Sequence, residues 1–129
     1  GQGIPQDYAE AAKWFRRAAD QDHAAAQQML GSMYHEGQGV PQDAAKAVKW
    51  YRRAAEQGHA VAQNNLGGMY GMGLGIPQDY VLAHMWFNLA VAQGDARALR
   101  GRDIINSVMT PAQLAEAQRM ARQWKPRKQ

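Results

Sequence analysis

The sequence predicts an all-α solenoid of about three helix-turn-helix units, each 36 residues long, with no β-strands. The first observation is an internal repeat: residues 3–38 align without gaps to residues 39–74, with 22 of 36 positions identical. A third copy begins at residue 75 and diverges after residue 99. Two further observations are the 3.6-residue spacing of apolar residues inside each copy and the lack of two-residue alternation, which favour helices over strands. A fixed repeat of paired helices indicates a solenoid.

Each unit is predicted to contain a glycine- and proline-rich loop that is followed at once by a helix. Proline, which blocks helix continuation, recurs at a 36-residue interval in these loops, as Pro5, Pro41 and Pro77. Two residues later an aspartate predicts a helix N-cap, because its carboxylate can accept hydrogen bonds from free backbone N–H groups: Asp7, Asp43 and Asp79. The expected helices are about 7–21, 23–36, 43–57, 59–72, 79–93, 95–108 and 111–124.

Two residue types that recur inside the helices predict how neighbouring helices pack. Tryptophan repeats in the apolar stripe and is predicted to lie in the core between helices, as Trp14, Trp50 and Trp86. Gly31 and Gly67 interrupt their helices, at a cost of about 1 kcal/mol each relative to alanine. Glycine recurring inside a helix predicts a point where the backbone of a neighbouring helix comes close.

The end of the chain departs from the repeat and predicts a terminal helix. Thr110 supplies an N-cap, and Pro111 follows at the first helical position. A solenoid needs an element that covers its last apolar face and is polar outside. We therefore divide the chain into repeats over 1–109, with the first unit incomplete at its N-terminus, a capping helix over 110–124 and a basic tail over 125–129. The uncapped first helix is predicted to be covered by upstream repeats or by self-association.

Composition limits the class of protein. The chain has 129 residues, no cysteine and a formal net charge of +4, so disulfides and thiolate metal sites are excluded and acidic partners are permitted. No apolar run approaches the roughly 18 to 20 residues that a membrane-spanning helix needs. The sequence therefore predicts a soluble protein without membrane insertion.

Residues 24–58 carry a long motif, A-x-A-Q-x-x-L-G-x-x-Y-x-x-G-x-G-V-P-Q-D-x-x-K-A-x-x-W-Y-R-x-A-A-E-Q-G, which resembles the Sel-one-like repeat, a relative of the tetratricopeptide repeat. The resemblance covers roughly residues 3–100, and residues 109–121 are similar to the closing helix of many bacterial members. It implies a right-handed α-α superhelical solenoid and a bacterial adaptor or scaffold. It also favours a periplasmic or secreted location, although the cytoplasm stays open.

The resemblance further implies a binding surface. In tetratricopeptide-like solenoids the first helix of each family repeat lines the concave face, and its less constrained positions contact another protein or peptide segment. The predicted helices 23–36 and 59–72 correspond to that helix, although each is the second helix of the copies described above. Carried over from the Leu-Gly-Tyr landmark, these positions are Ala25, Gln28, Ser32, His35 and Glu36 in one unit and Val61, Asn64, Gly68, Gly71 and Met72 in the next. The two units differ at all five pairs, whereas the inferred core positions mostly match.

Two other functions stay open beside protein binding. One is a structural spacer or assembly segment of a longer repeat protein. The other is an RNA-binding solenoid that would use the paired arginines Arg16, Arg17, Arg52 and Arg53. A nucleic-acid track should continue across units, but the third copy has Asn88 and Leu89 at the second pair's positions, which favours a solvated convex face.

Enzyme, cofactor and metal sites are not predicted. His23 and His59 are repeat equivalents, and Asp95 replaces them in the third copy, so a role at helix starts explains all three. No His-carboxylate cluster has ligand spacing. The glycine-rich loops follow helices rather than strands and lack a following Lys-Ser/Thr, which argues against nucleotide binding. Neither Ser32 nor Ser107 has a neighbouring base in the sequence to activate it.

Overall fold

The computed structural model describes residues 7–127, and these residues form helices joined by short loops, with no strand among them. The helices in chain order are α1 (Tyr8–Asp20), α2 (Ala24–Glu36), α3 (Ala44–Glu56), α4 (Ala60–Met72), α5 (Tyr80–Ala92), α6 (Ala96–Asn106) and α7 (Pro111–Gln123). Every bound lies within two residues of its prediction. The predicted first loop with Pro5, and residues 128–129 of the predicted tail, lie outside the described residues.

Helix starts follow the predicted capping chemistry with two exceptions, Asp7 and His23, neither of which makes a side-chain cap hydrogen bond. The Asp43 and Asp79 carboxylates each accept a hydrogen bond at 3.0 Å from a backbone N–H three residues later. His59 Nδ1 accepts from the Ala62 N–H at 3.3 Å, and Asp95 accepts from two backbone N–H groups, so histidine and aspartate share the helix-start position. Asp7 precedes α1 but makes no side-chain cap hydrogen bond, because its backbone (φ −102°, ψ 18°) departs from the extended conformation of Asp43 and Asp79.

The glycines inside helices allow aromatic rings to pack closely. A Cβ atom at Gly31 would lie 2.6 Å from Cδ1 of Tyr51, and one at Gly67 would lie 2.8 Å from Cδ1 of Phe87. Tyr51 and Phe87 occupy equivalent positions of successive units. The prediction of a close approach is correct, but the neighbour is an aromatic ring and not a helix backbone. The ring supplies more buried apolar surface than a backbone contact would.

Buried glutamines connect each unit to the next. The Gln27 amide donates to the Ala19 carbonyl at 3.0 Å and accepts from Gln57 at 2.7 Å. Gln63 repeats this arrangement, donating to the Ala55 carbonyl at 3.2 Å and accepting from Gln93 at 2.9 Å. Both central glutamines are fully buried. Because the amide group both donates and accepts, one residue type bonds a helix-end carbonyl and a neighbouring side chain in each of the first two units.

The tryptophan prediction is correct for two of the three residues. Trp50 and Trp86 are 3% and 6% exposed, whereas Trp14 is 60% exposed and does not belong to the core. The guanidinium of Arg16, on α1, lies over Trp50, 5.4 Å from its ring centroid. The cation over Trp14 is Arg17 of its own helix, which leaves most of the ring in solvent.

Helix α7 packs on α5. Trp124 meets Trp86 edge to face with centroids 6.0 Å apart, and Ala117 is fully buried. The Arg127 N–H then donates to the Glu56 carbonyl at 2.6 Å, which fastens the end of the described chain to α3. Within residues 7–127, no helix is both long and apolar enough to cross a bilayer.

Candidate protein-binding groove

A cavity of about 260 Å³ lies between α2, α4 and α6, over α3 and α5. We call the surface formed by its lining residues the groove: His35, Tyr51, Asn64, Asn65, Gly68, Met69, Met72, Phe87 and Gly101. The aromatic side chains, Tyr51 and Phe87, come from α3 and α5 and form its floor. Polar groups come mainly from α4. The groove therefore combines apolar surface with a few amide groups, as binding sites commonly do.

The structure brings together some of the predicted surface residues and separates others. Four of the ten predicted residues line the groove: His35, Asn64, Gly68 and Met72. A fifth, Gly71, lines an adjoining cavity of about 240 Å³. The remaining five line neither cavity: Ala25, Gln28, Ser32, Glu36 and Val61.

The α2 side of the groove is held by hydrogen bonds between its own side chains. The Gln28 amide donates to Ser32 Oγ at 3.1 Å, and Ser32 Oγ lies 3.1 Å from the Tyr51 hydroxyl. Burial raises the pKa of Tyr51, so this phenol stays protonated at neutral pH. The hydrogen-bond partners of Ser32 are therefore an amide and a neutral phenol. Neither group is a base that could activate the hydroxyl as a nucleophile.

The adjoining cavity continues the groove toward the third unit. It shares Gly68, Met72, Phe87 and Gly101 with the first cavity and adds Gly71, Ile104 and Ile105. Ile104 and Met72 are 67% and 64% exposed, which is high for large apolar side chains. The groove thus changes from hydrogen-bonded polar groups beside α2 to exposed apolar groups beside α6.

The contribution of α6 was missed by the sequence prediction, which stopped at the second unit because the third copy diverges. Adding 36 to the five positions of the second unit gives Arg97, Arg100, Ile104, Ser107 and Val108. All five are exposed. The 36-residue repeat interval could have identified these five residues, because α6 keeps the same spacing from α4 even where its residue types change.

His84 is the buried histidine of the third unit, at the position of Val48 in the second. It is almost fully buried, and its Nδ1 has no hydrogen-bond partner among the described residues. Burial lowers the pKa of His84, a hydrogen bond to Asn106 opposes this effect, and the Arg102 charge lowers the pKa further. Among residues 7–127, no cluster of three metal-ligating side chains includes it. The imidazole is therefore a neutral core group.

Acid is expected to destabilise the fold through His84. Its pKa is lower in the folded chain than the ordinary value of 6.5, so the unfolded chain binds the proton more tightly and stability falls as the pH drops below about 6.5. His84→Val should match the wild-type melting temperature within a few degrees at pH 7.5 and exceed it at pH 5.5. Burial also lowers the pKa of His59, which should account for the remaining slope. Equal acid sensitivity of the two proteins would contradict this assignment.

The paired arginines make contacts within the chain. Arg52 Nη2 donates to the Tyr70 hydroxyl at 2.6 Å, and Arg53 Nη2 donates to Asp22 at 3.1 Å while its guanidinium lies over Trp50. Both residues are half-buried, whereas Arg16 and Arg17 are exposed. The expectation of a solvated face is therefore met by the first pair and not by the second, because Arg52 and Arg53 bridge neighbouring helices.

Comparison with known proteins identifies the repeat. The family model described as Sel1 repeat matches three times, over residues 1–23, 24–59 and 60–95. One similar solved structure is a protective antigen present in uropathogenic Escherichia coli strains, described as displaying an SLR fold. It shares 37% identity and a TM-score of 0.92 over 95% of this chain and 27% of its own length. A Sel1 repeat protein from Oxalobacter formigenes shares 37% identity and a TM-score of 0.73 over 78% of this chain and 41% of its own.

The chain therefore spans less than half the length of either structure. No curated protein gives a significant match. The three family matches together cover most of the chain, and both similar structures are repeat proteins of the same kind. The motif, the helix order and these matches agree, and the chain belongs to the Sel1 repeat family, whose helices form an all-α solenoid.

Proposed function

We propose that this chain is an adaptor module that binds a segment of another protein in the groove between α2, α4 and α6, using binding energy and no catalysis. Sel1 repeat proteins generally mediate protein–protein interaction and are typically non-catalytic scaffolds. The observation that carries the proposal is that residues from three successive units line one continuous depression. A depression shared by several units suits an extended segment, which can contact each unit in turn.

The chemistry of α4 supports a peptide ligand. This helix carries no charged residue between Ala60 and Met72. Asn64 and Asn65 are half-buried in the groove, where each amide offers both donors and an acceptor to a peptide backbone. Met72 offers a flexible apolar contact that adapts to different partner side chains. Hydrogen bonds from these amides to a peptide backbone do not depend on the side chains of the peptide, and Met72 can adapt to several of them. The groove would therefore accept more than one partner sequence.

The proposal is tested by selecting displayed random 12-residue peptides on the chain and mapping the best binder by NMR. Amide shifts are expected on α2, α4 and α6. His35→Ala combined with Asn64→Ala should weaken binding about 30-fold, because two central interface contacts at about 1 kcal/mol each total about 2 kcal/mol. Lys49→Ala, on exposed surface of α3, is the control and should leave the dissociation constant unchanged.

Two results would count against a binding groove. Shifts confined to α1, α3, α5 and α7 would move the binding surface to the other face. Failure to enrich any peptide would favour the spacer function instead. Equal weakening by the groove variant and by Lys49→Ala would show that the effect is not local.

A further inference from the structure

The face formed by α2, α4 and α6, which contains the groove, changes in chemistry along the three units. At the position of Gln28 and Asn64 the third unit has Arg100, and at the position of Ser32 and Gly68 it has Ile104. Glu36 of the first unit is replaced by Met72 and then by Val108. The α2 end is thus polar and acidic, whereas the α6 end is basic and aliphatic. A ligand that lies across the three helices meets a different chemistry at each end.

The cavity beside α6 exists because glycine replaces side chains that are present in the first unit. Gly68 stands where Ser32 does, and Gly71 stands where His35 does. The space left between α4 and α6 is about 240 Å³. A cavity of roughly 150 Å³ is enough for a benzene-sized group. This end of the groove therefore has room for one large apolar side chain, and covering Met72 and Ile104 would remove exposed apolar surface from water.

Two arginines lie beside this cavity. Arg97 is one turn before Gly101 on α6, and Arg100 is one turn before Ile104, so each shares a helix face with a residue that lines the cavity. No carboxylate of residues 7–127 lies within 4 Å of Arg100. Arg97 has an ion pair to Asp95 at 3.5 Å, yet 60% of its side chain is exposed. Asp103 lies about 160° around α6 from Gly101 and about 60° from Arg100, with which it forms no ion pair.

We propose that the α6 end of the groove binds an acidic segment of a partner protein through one bulky apolar anchor residue, which enters the cavity between Met72 and Ile104. Carboxylates on either side of the anchor pair with Arg97 and Arg100. This inference rests on the proposed protein-binding function and specifies its ligand. Charge complementarity selects the acidic segment, and the size and apolar lining of the cavity select the anchor.

Synthetic peptides test the two requirements separately. The probe is a 12-residue serine-glycine peptide whose central leucine is flanked on each side by two glutamates. One counterpart replaces leucine by alanine, and another replaces the glutamates by lysines. The probe should bind at least about tenfold tighter than either counterpart and should shift the methyl resonances of Met72, Ile104 and Ile105. Its affinity should fall as salt is added, because exposed charge pairs are screened.

Charge reversal provides the matched control. Arg97→Glu combined with Arg100→Glu should reverse the preference, so that the lysine peptide binds better than the glutamate peptide. Lys46→Glu combined with Lys49→Glu makes the same change of net charge on exposed positions of α3 and should preserve the original preference. Ile104→Asp should abolish the distinction between leucine and alanine at the anchor.

Failure of this inference is distinguishable from failure of the proposed function. Equal binding of acidic and basic peptides, or no methyl shift at millimolar probe, overturns the acidic anchored ligand. If the displayed peptides still shift amides on α2 and α4, the protein-binding function stands without it. If those peptides also leave α2, α4 and α6 unshifted, both proposals fail together.

Discussion

Gly75→Ala is expected to lower the free energy of unfolding by about 3 kcal/mol. Gly75 has φ +71°, and a Cβ atom there would lie 2.5 Å from the carbonyl carbon of Ala44. An L-residue in the left-handed region costs about 1–2 kcal/mol, and forcing atoms into a packed contact costs about 1–3 kcal/mol more. The contact is made with backbone at the start of α3, which cannot rotate away as a side chain could. Urea unfolding followed by circular dichroism measures the change.

Gly94→Ala is the matched control. Gly94 also has a left-handed backbone, with φ +91°, but a Cβ atom there would meet nothing within 4 Å. Its substitution should cost only the backbone strain, about 1 kcal/mol. The difference between the two variants then measures the contact between the repeat loop and the preceding unit. Equal losses in the two variants would show that this contact contributes nothing.

Gln63→Leu is expected to lower the free energy of unfolding by about 2 kcal/mol. The substitution keeps similar bulk but removes two buried or half-buried hydrogen bonds, one to the Ala55 carbonyl and one from Gln93, each worth about 1 kcal/mol. The Ala55 carbonyl keeps its other hydrogen bond, from the Gly58 N–H at 3.0 Å. Gln93 loses its acceptor as well, but it is exposed and can pair with water. The same urea unfolding experiment measures the loss. The third unit has Leu99 at the position of Gln63. This is compatible with the expected cost, because Leu99 is 42% exposed and therefore does not fill a buried amide position.

Gln118→Leu makes the same change at an exposed position of α7 and should alter stability by less than about 0.5 kcal/mol. Gln93→Ala should cost less than Gln63→Leu, because it removes only the hydrogen bond between the two amides and leaves the one from Gln63 to the Ala55 carbonyl. A double variant, Gln63→Leu with Gln93→Ala, measures the coupling between the two amides. A loss for Gln63→Leu no larger than that for Gln118→Leu would remove the glutamines from the interactions that hold the units together.

The candidate groove was predicted in part. The ten positions implied by the family resemblance include His35, Asn64, Gly68 and Met72, which the fold brings to one cavity. Tyr51 and Phe87 were missed because they lie on α3 and α5, not on the helices that the resemblance selects. Their rings reach the groove floor only where Gly31 and Gly67 leave space. Whether the groove binds a protein segment stays a prediction until the peptide experiments are done.

The sequence by itself determined the helices and their order. The 36-residue interval, the Gly-Pro loops, the aspartate caps and the 3.6-residue apolar spacing are all local, so each helix bound follows from residues within a turn or two of it. Membership of the Sel1 repeat family follows from the same linear motif.

Tertiary structure alone decided which faces of those helices are covered. The three repeat-equivalent tryptophans show this: Trp50 and Trp86 are buried, yet Trp14 is exposed. Burial depends on which side chains of other helices cover the ring, and the spacing of the residue in the sequence does not specify them. In the same way Phe87 lies between Gly67 and Gly101, and the second glycine comes from a helix that has left the repeat motif. A linear pattern specifies each helix, but packing between distant residues specifies the cavity and its chemistry.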